Sequence, residues 1–197
     1  MTEYTHGENV LDGLRIPVIE RLIRNAPPAR QRAFAIACAR LAGSIAELHW
    51  NEKLLPLMKQ TFAAAHLLAE GADPQDPRVV AARVPIHTLA RESHAIYHVM
   101  QDRFMEDTEE GRYTTENHPE GPAISEAMRH YVALEAAETA LHESPFEAAA
   151  LNLEALSNAL RIDYDTILAL ARHWLLPHPE PIERDPVWPL FKPFPDE

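Results

Sequence analysis

Only one cysteine, Cys38, occurs among the 197 residues. That excludes an internal disulfide framework and any zinc cage built on thiolates, and it points to a reducing compartment. Six glycines leave little material for a phosphate-cradling loop. Neither a Gly-x-Ser-x-Gly elbow nor a P-loop spacing is present. Cys38 itself sits between Ala37 and Ala39 in an apolar stripe, where free cysteine is usually an inert core residue. Together these absences argue against a conventional enzyme. Long apolar runs are missing too: charge interrupts every Leu/Ala-rich stretch before the roughly 18 residues a bilayer requires. The opening residues, MTEYTHGENVLDGL, are polar and acidic where an export signal would be basic and then apolar. The expectation is a cytoplasmic protein with no membrane partner.

Positive charge is also scarce. Eighteen Lys and Arg stand against 30 Asp and Glu, a formal charge of −12. Nucleic acid and anionic membranes are bound by basic surfaces, so this balance argues against both. It favours a basic protein partner, whose encounter opposite potentials accelerate. The excess is concentrated between Glu106 and Glu120. There, Glu106, Asp107, Glu109, Glu110, Glu116 and Glu120 face a single Arg112. With Gly111, Pro119 and Gly121 nearby, residues 106–121 are predicted to form an exposed acidic loop and a sub-boundary between two halves.

What the chain has in abundance is alanine, thirty residues of it, in stretches with few β-branched runs. This composition favours helix, and the spacing agrees. Phe34, Cys38, Leu41, Ile45 and Leu48 repeat at 4-3-4-3 on a helix beginning near Pro28. Leu55, Met58, Phe62, Ala65 and Ala69 form a second stripe that runs to Gly71, a natural stop, with Pro56 starting or bending that helix. Asp76-Pro77 is an N-cap with proline at the first helical position. The helix it opens is predicted to reach about Glu106, kinked or broken at Pro85. Ala123 to His142 is predicted as the next helix. Ser144-Pro145-Phe146-Glu147 is a capping box opening a helix to about Arg161. A short helix near Asp165–Leu175 and a leading one near Leu14–Arg24 complete the reading. The fold class is all-α: an Ala-rich bundle of six to seven helices over residues 1–176, followed by an extended arm, residues 177–197. The arm holds seven of the seventeen prolines with Trp188, Phe191 and Phe194. Such aromatics call for burial, on the chain's own helices or on a partner.

Three constellations carry chemistry. His87, Arg91, His94 and His98 repeat at 4-3-4 beside the apolar residues Ile86, Leu89, Ile96, Met100 and Phe104, and Glu135, Glu138 and His142 share a face of the following helix. His94, His98, Glu138 and His142 are therefore the candidate ligands of a divalent metal in a helical-bundle enzyme or sensor. The repeated Glu-x-x-His of di-iron bundles is lacking. Second, Leu156, Ser157, Leu160, Ile162, Ile167 and Leu170 resemble the spacing of DNA-binding helix-turn-helix modules over about 20 residues. That resemblance implies a recognition helix at Asp165–His173. Arg161 stands where the turn usually has glycine, and Asp163 and Asp165 oppose phosphate contact. Third, the acidic stretch suits a non-enzymatic protein-binding module, such as an immunity or antitoxin-like inhibitor of a basic partner. Its candidate contacts are Glu106, Asp107, Glu109 and Glu110, with Tyr113, Trp188 and Phe191 as anchors. Apolar stripes on several helices also make a homodimer an expectation.

Overall fold

Residues 6–48, 51–114 and 117–178, described by the computed structural model, form an all-α fold with no strand among them. Helices α1 (His6–Leu14), α2 (Pro17–Asn25), α3 (Pro28–Ile45), α4 (Leu55–Ala69), α5 (Pro77–Glu109), α6 (Gly121–Thr139) and α7 (Pro145–Glu154) follow in order. A π-helical turn, Ala155–Ala159, and α8 (Tyr164–Leu175) close the described chain. The proline-rich segment beyond His178, with Trp188 and Phe191, lies outside the described residues.

Local chemistry accounts for most boundaries. Asp76 accepts a hydrogen bond from the Arg78 backbone N–H at 2.9 Å, Ser144 from that of Glu147 at 3.3 Å, and Asp163 from that of Thr166 at 2.9 Å. Each satisfies one of the orphan donors at a helix start. Gly71, at φ +93°, ends α4 in the left-handed region that glycine tolerates.

Three features depart from the sequence expectations. The leading helix starts at Pro17, not Leu14, and a further helix, α1, precedes it; Arg15, at φ +55°, separates the two. The Glu147 side chain does not close its own capping box. Its carboxylate reaches across the fold and accepts the Gly7 backbone N–H at 2.7 Å, satisfying a donor at the start of α1. A Cβ on Gly7 would stand 2.9 Å from that oxygen, so a larger residue there would displace the carboxylate from this hydrogen bond. Finally, α5 runs unbroken through Pro85 for 33 residues, about 50 Å. Pro85 is exposed, so water can serve the carbonyl its ring leaves without a donor.

Helix α3 is the centre of the core. Eleven of its 18 residues are buried, on all sides rather than in one stripe. It packs against α4, α6, α7 and α8. Ala35, Ala37, Ala39 and Ala42 let these neighbours approach closely, while Phe34 and Leu41 fill the gaps between them. Cys38 is fully buried there, and loss of solvent pushes its thiol up from the ordinary range.

At the start of α3, Arg32 is only 2 % exposed. Its guanidinium donates to the carbonyls of Ala140 (3.0 Å), His142 (2.5 Å) and Glu143 (3.2 Å). It thereby satisfies acceptors at the C-terminal end of α6, where a cation also meets the negative end of the helix dipole. Burial, with the nearby charge of Arg83, lowers its pKa to about 10. Replacing Arg32 by Met keeps the bulk and removes the donors. Urea unfolding is expected to show a loss of roughly 2–4 kcal/mol. A loss below about 0.5 kcal/mol would contradict a clamping role.

Candidate functional site

The deciding feature of the surface is how α5 and α6 outrun the core. The buried residues of α5 are Val79, Ala82, Ile86 and Ala90, all in its first half. Those of α6 are Val132, Ala133, Leu134, Ala136 and Ala137, all in its second half. From Arg91 to Tyr131 the described residues contain one buried side chain, His118, in the connecting loop. The outer parts of the two helices, beyond the stretch where Glu126, Arg129 and His130 lie beside the end of α3, therefore project from the bundle as an antiparallel hairpin. Its register is fixed by contacts between His87 and Glu138, Tyr97 and Tyr131, and Phe104 and His118.

The acidic stretch forms the tip of this hairpin. Glu106, Asp107 and Glu109 lie in the last turn of α5, not in a loop, and only from Glu110 does the chain turn. Part of the charge is neutralised locally: Arg112 pairs with Asp107, through Nε at 2.8 Å, and with Glu110. His118 organises the turn. Its Nδ1 accepts the Glu120 backbone N–H at 3.1 Å, which leaves Nε2 to donate to Asp107 at 3.3 Å. The hydrogen bond from Arg112, the charge of Arg112 and the bond from His118 hold the Asp107 carboxyl below the usual range. The stability this gives the tip is present above the ordinary carboxylate pKa of about 3.9 and is lost as pH falls below it. Glu106 and Glu109 are exposed and make no ion pair among the described residues. Tyr113 is 42 % exposed, its ring edge against His118.

Along the seam between the two helices runs a string of titratable side chains. His87 Nδ1 lies 2.5 Å from Glu138 Oε1. His94 and His98 approach each other through their Nε2 atoms at 2.7 Å, and His94 packs against Tyr131. The four metal candidates do not gather at one point. Glu138 is engaged by His87, near the base of the hairpin. His142 lies beyond the end of α6, where its Nδ1 accepts the Ser144 N–H at 3.2 Å. Only His94 and His98 stand together. No group of three or more His, Cys, Asp or Glu among the described residues is placed to hold a metal ion.

A cavity of about 400 Å³ opens beside the seam, between α6 and the α7–π-turn segment. Tyr131, Glu135, Glu154, Asn158 and His6 line it. The π turn widens the helix locally and turns Asn158 toward this space, a distortion often found at functional sites. The sequence reading missed Tyr131 and the turn; the only signal was a tyrosine one helical turn before Glu135. Desolvation pushes the Tyr131 phenol well up, and a hydrogen bond to Glu135 and the charges of Glu135 and Glu154 add to the effect. The helix-turn-helix segment is built as a helical corner. Arg161 takes φ +53°, the conformation glycine would favour, and the Asp163 carboxylate is spent capping α8.

No protein-family model matches the chain, and neither the curated proteins nor the solved structures hold one similar to it.

The tyrosine environment is measurable. Alkaline ultraviolet titration of the wild type against Tyr131→Phe isolates the Tyr131 phenol, which should ionise well above pH 10. Because the raised value means that folding favours the neutral phenol, its stabilising effect holds below about pH 10 and fades above it. Glu135→Gln should move that ionisation downward. Unchanged titration in Glu135→Gln would contradict the contribution assigned to Glu135.

Proposed function

We propose that this protein is a non-enzymatic binding module that presents the acidic tip of the α5–α6 hairpin to a basic protein partner. One observation carries the reading: the outer hairpin stands clear of the core and ends in carboxylates, with Glu106 and Glu109 facing solvent. A projecting tip can enter a concave surface, and carboxylates there accelerate encounter with a basic cleft. Tyr113 adds an amphipathic anchor of the kind interfaces favour. An immunity or antitoxin-like protein that blocks the basic active site of a toxin is the concrete form of this reading. It acts in the cytoplasm and needs no cofactor.

A second reading rests on the cavity lined by Tyr131, Glu135 and Glu154, which is of a size to hold a small molecule. The two carboxylates that line it, Glu135 and Glu154, favour a cationic ligand.

Capture from native lysate at low and high salt separates the outcomes. The tip reading expects a basic protein to be retained at low salt, released by salt, and lost with Glu106→Gln/Glu109→Gln/Glu110→Gln. Retention of a partner regardless of salt and of these substitutions would overturn it.

A further inference from the structure

We propose that His94 and His98 form a two-histidine chelate for a divalent transition ion, Cu²⁺ or Zn²⁺ in class, that clamps the outer half of α5. The two residues stand one turn apart on α5, so their side chains share a face. Their Nε2 atoms face each other at 2.7 Å. Two imidazole nitrogens held at about 2.0–2.1 Å from one ion stand roughly 2.9 Å apart at a right angle and roughly 3.3 Å apart at the tetrahedral angle. Opening the pair by a few tenths of an ångström therefore brings it to chelating separation. The ring centroids are 4.2 Å apart and the ring planes lie at 88° to each other. Rings bonded end to end through those nitrogens would have centroids farther apart. Their axes are therefore bent rather than collinear, as a chelate requires.

The surroundings hold the pair in place. Tyr131 packs on His94 with 4.6 Å between ring centroids, and Tyr97 lies 5.5 Å from His98. The two tyrosine rings stack on each other at 15°. Both histidines are exposed, so an ion reaches them with water still attached. In the hydrogen bond between them one Nε2 donates and the other accepts. An ion takes both lone pairs, and the donor ring changes tautomer, carrying its proton on Nδ1 instead. No group of three or more His, Cys, Asp or Glu gathers there among the described residues, so water fills the remaining positions. Such a site holds an exchangeable ion rather than a resident one. Imidazole ligands select Cu²⁺ and Zn²⁺ over Mg²⁺, and a net charge of −12 draws cations to the chain.

Position gives the chelate its consequence. It lies beyond Ala90, the last buried residue of α5, where packing on the bundle has ended. An ion bridging residues 94 and 98 closes one helical turn there. Binding that requires the turn to be formed stabilises the hairpin against local opening. Neighbouring histidines are committed elsewhere. His87 is turned toward Glu138, and His118 and His142 each use Nδ1 to accept a backbone N–H in their turns. The clamp therefore rests on His94 and His98 alone, and it does not depend on what the acidic tip binds.

Calorimetric titration of the full chain, purified without an affinity tag, with Cu²⁺, Zn²⁺ and Mg²⁺ chlorides tests this. The tightest class of Cu²⁺ sites should hold one ion per chain, with Zn²⁺ bound more weakly and Mg²⁺ not at all. His94→Gln and His98→Gln should each weaken Cu²⁺ binding at least tenfold. His66→Gln, which alters an exposed histidine on α4, should leave it unchanged. Circular dichroism and thermal melts without metal check that each variant stays folded. Hydrogen exchange in residues 91–102 should slow when Cu²⁺ is added to the wild type, and not in either His94→Gln or His98→Gln. Absence of Cu²⁺ binding up to about 1 mM ion would overturn the proposal. So would binding that survives both His94→Gln and His98→Gln, or a bound ion that leaves exchange in residues 91–102 unmoved.

Discussion

The length of α5 relative to the core beneath it is the constraint on which the rest of this structure turns. Helix α3, the centre of the core, has 18 residues, about 27 Å, whereas α5 has 33, about 50 Å. A helix that outruns its core must find support elsewhere, since helical stability in proteins comes mainly from packing an apolar face. Here α6 turns back along α5 and supplies that support. Beyond Glu126, where α6 still lies beside the end of α3, the pair is held by contacts between the two helices and by the His118 hub at its tip. The titratable seam and the projecting acids both follow from this geometry.

The body of the protein is built differently. Alanines around α3 allow several helices to approach at once, and Arg32 and Glu147 tie distant chain segments together through single polar contacts. Such buried polar links are costly if left half satisfied, so they specify one arrangement of the helices. The rigid body and the lightly supported hairpin divide the labour between stability and recognition. Surfaces that meet partners are commonly drawn from the less supported parts of a fold.

How far the sequence was legible follows from the range of each interaction. Asp76, Ser144 and Gly71 announce helix ends because their effects act within one turn. Helix α1 was not legible: its stabilising acceptor is Glu147, 140 positions away. Pro85 does not break the helix, because the carbonyl its ring leaves without a donor is exposed and water can serve it. The apolar residues Ile86, Leu89, Ile96, Met100 and Phe104 gave no sign that burial ends at Ala90, since periodicity is blind to where a neighbouring core stops. The histidine stripe was correctly placed on α5. Which acid it would meet depended on the α5–α6 register, and that register sends Glu138 to His87 and leaves His94 to His98 and Tyr131. Trp188 and Phe191 lie outside the described residues, so the arm plays no part in this account.

Hydrogen exchange read by mass spectrometry bears most directly on the overhang. The account predicts slow exchange in α3 and in residues 79–90. Residues 91–109 should exchange faster. Uniformly slow exchange along the whole of α5 would contradict it.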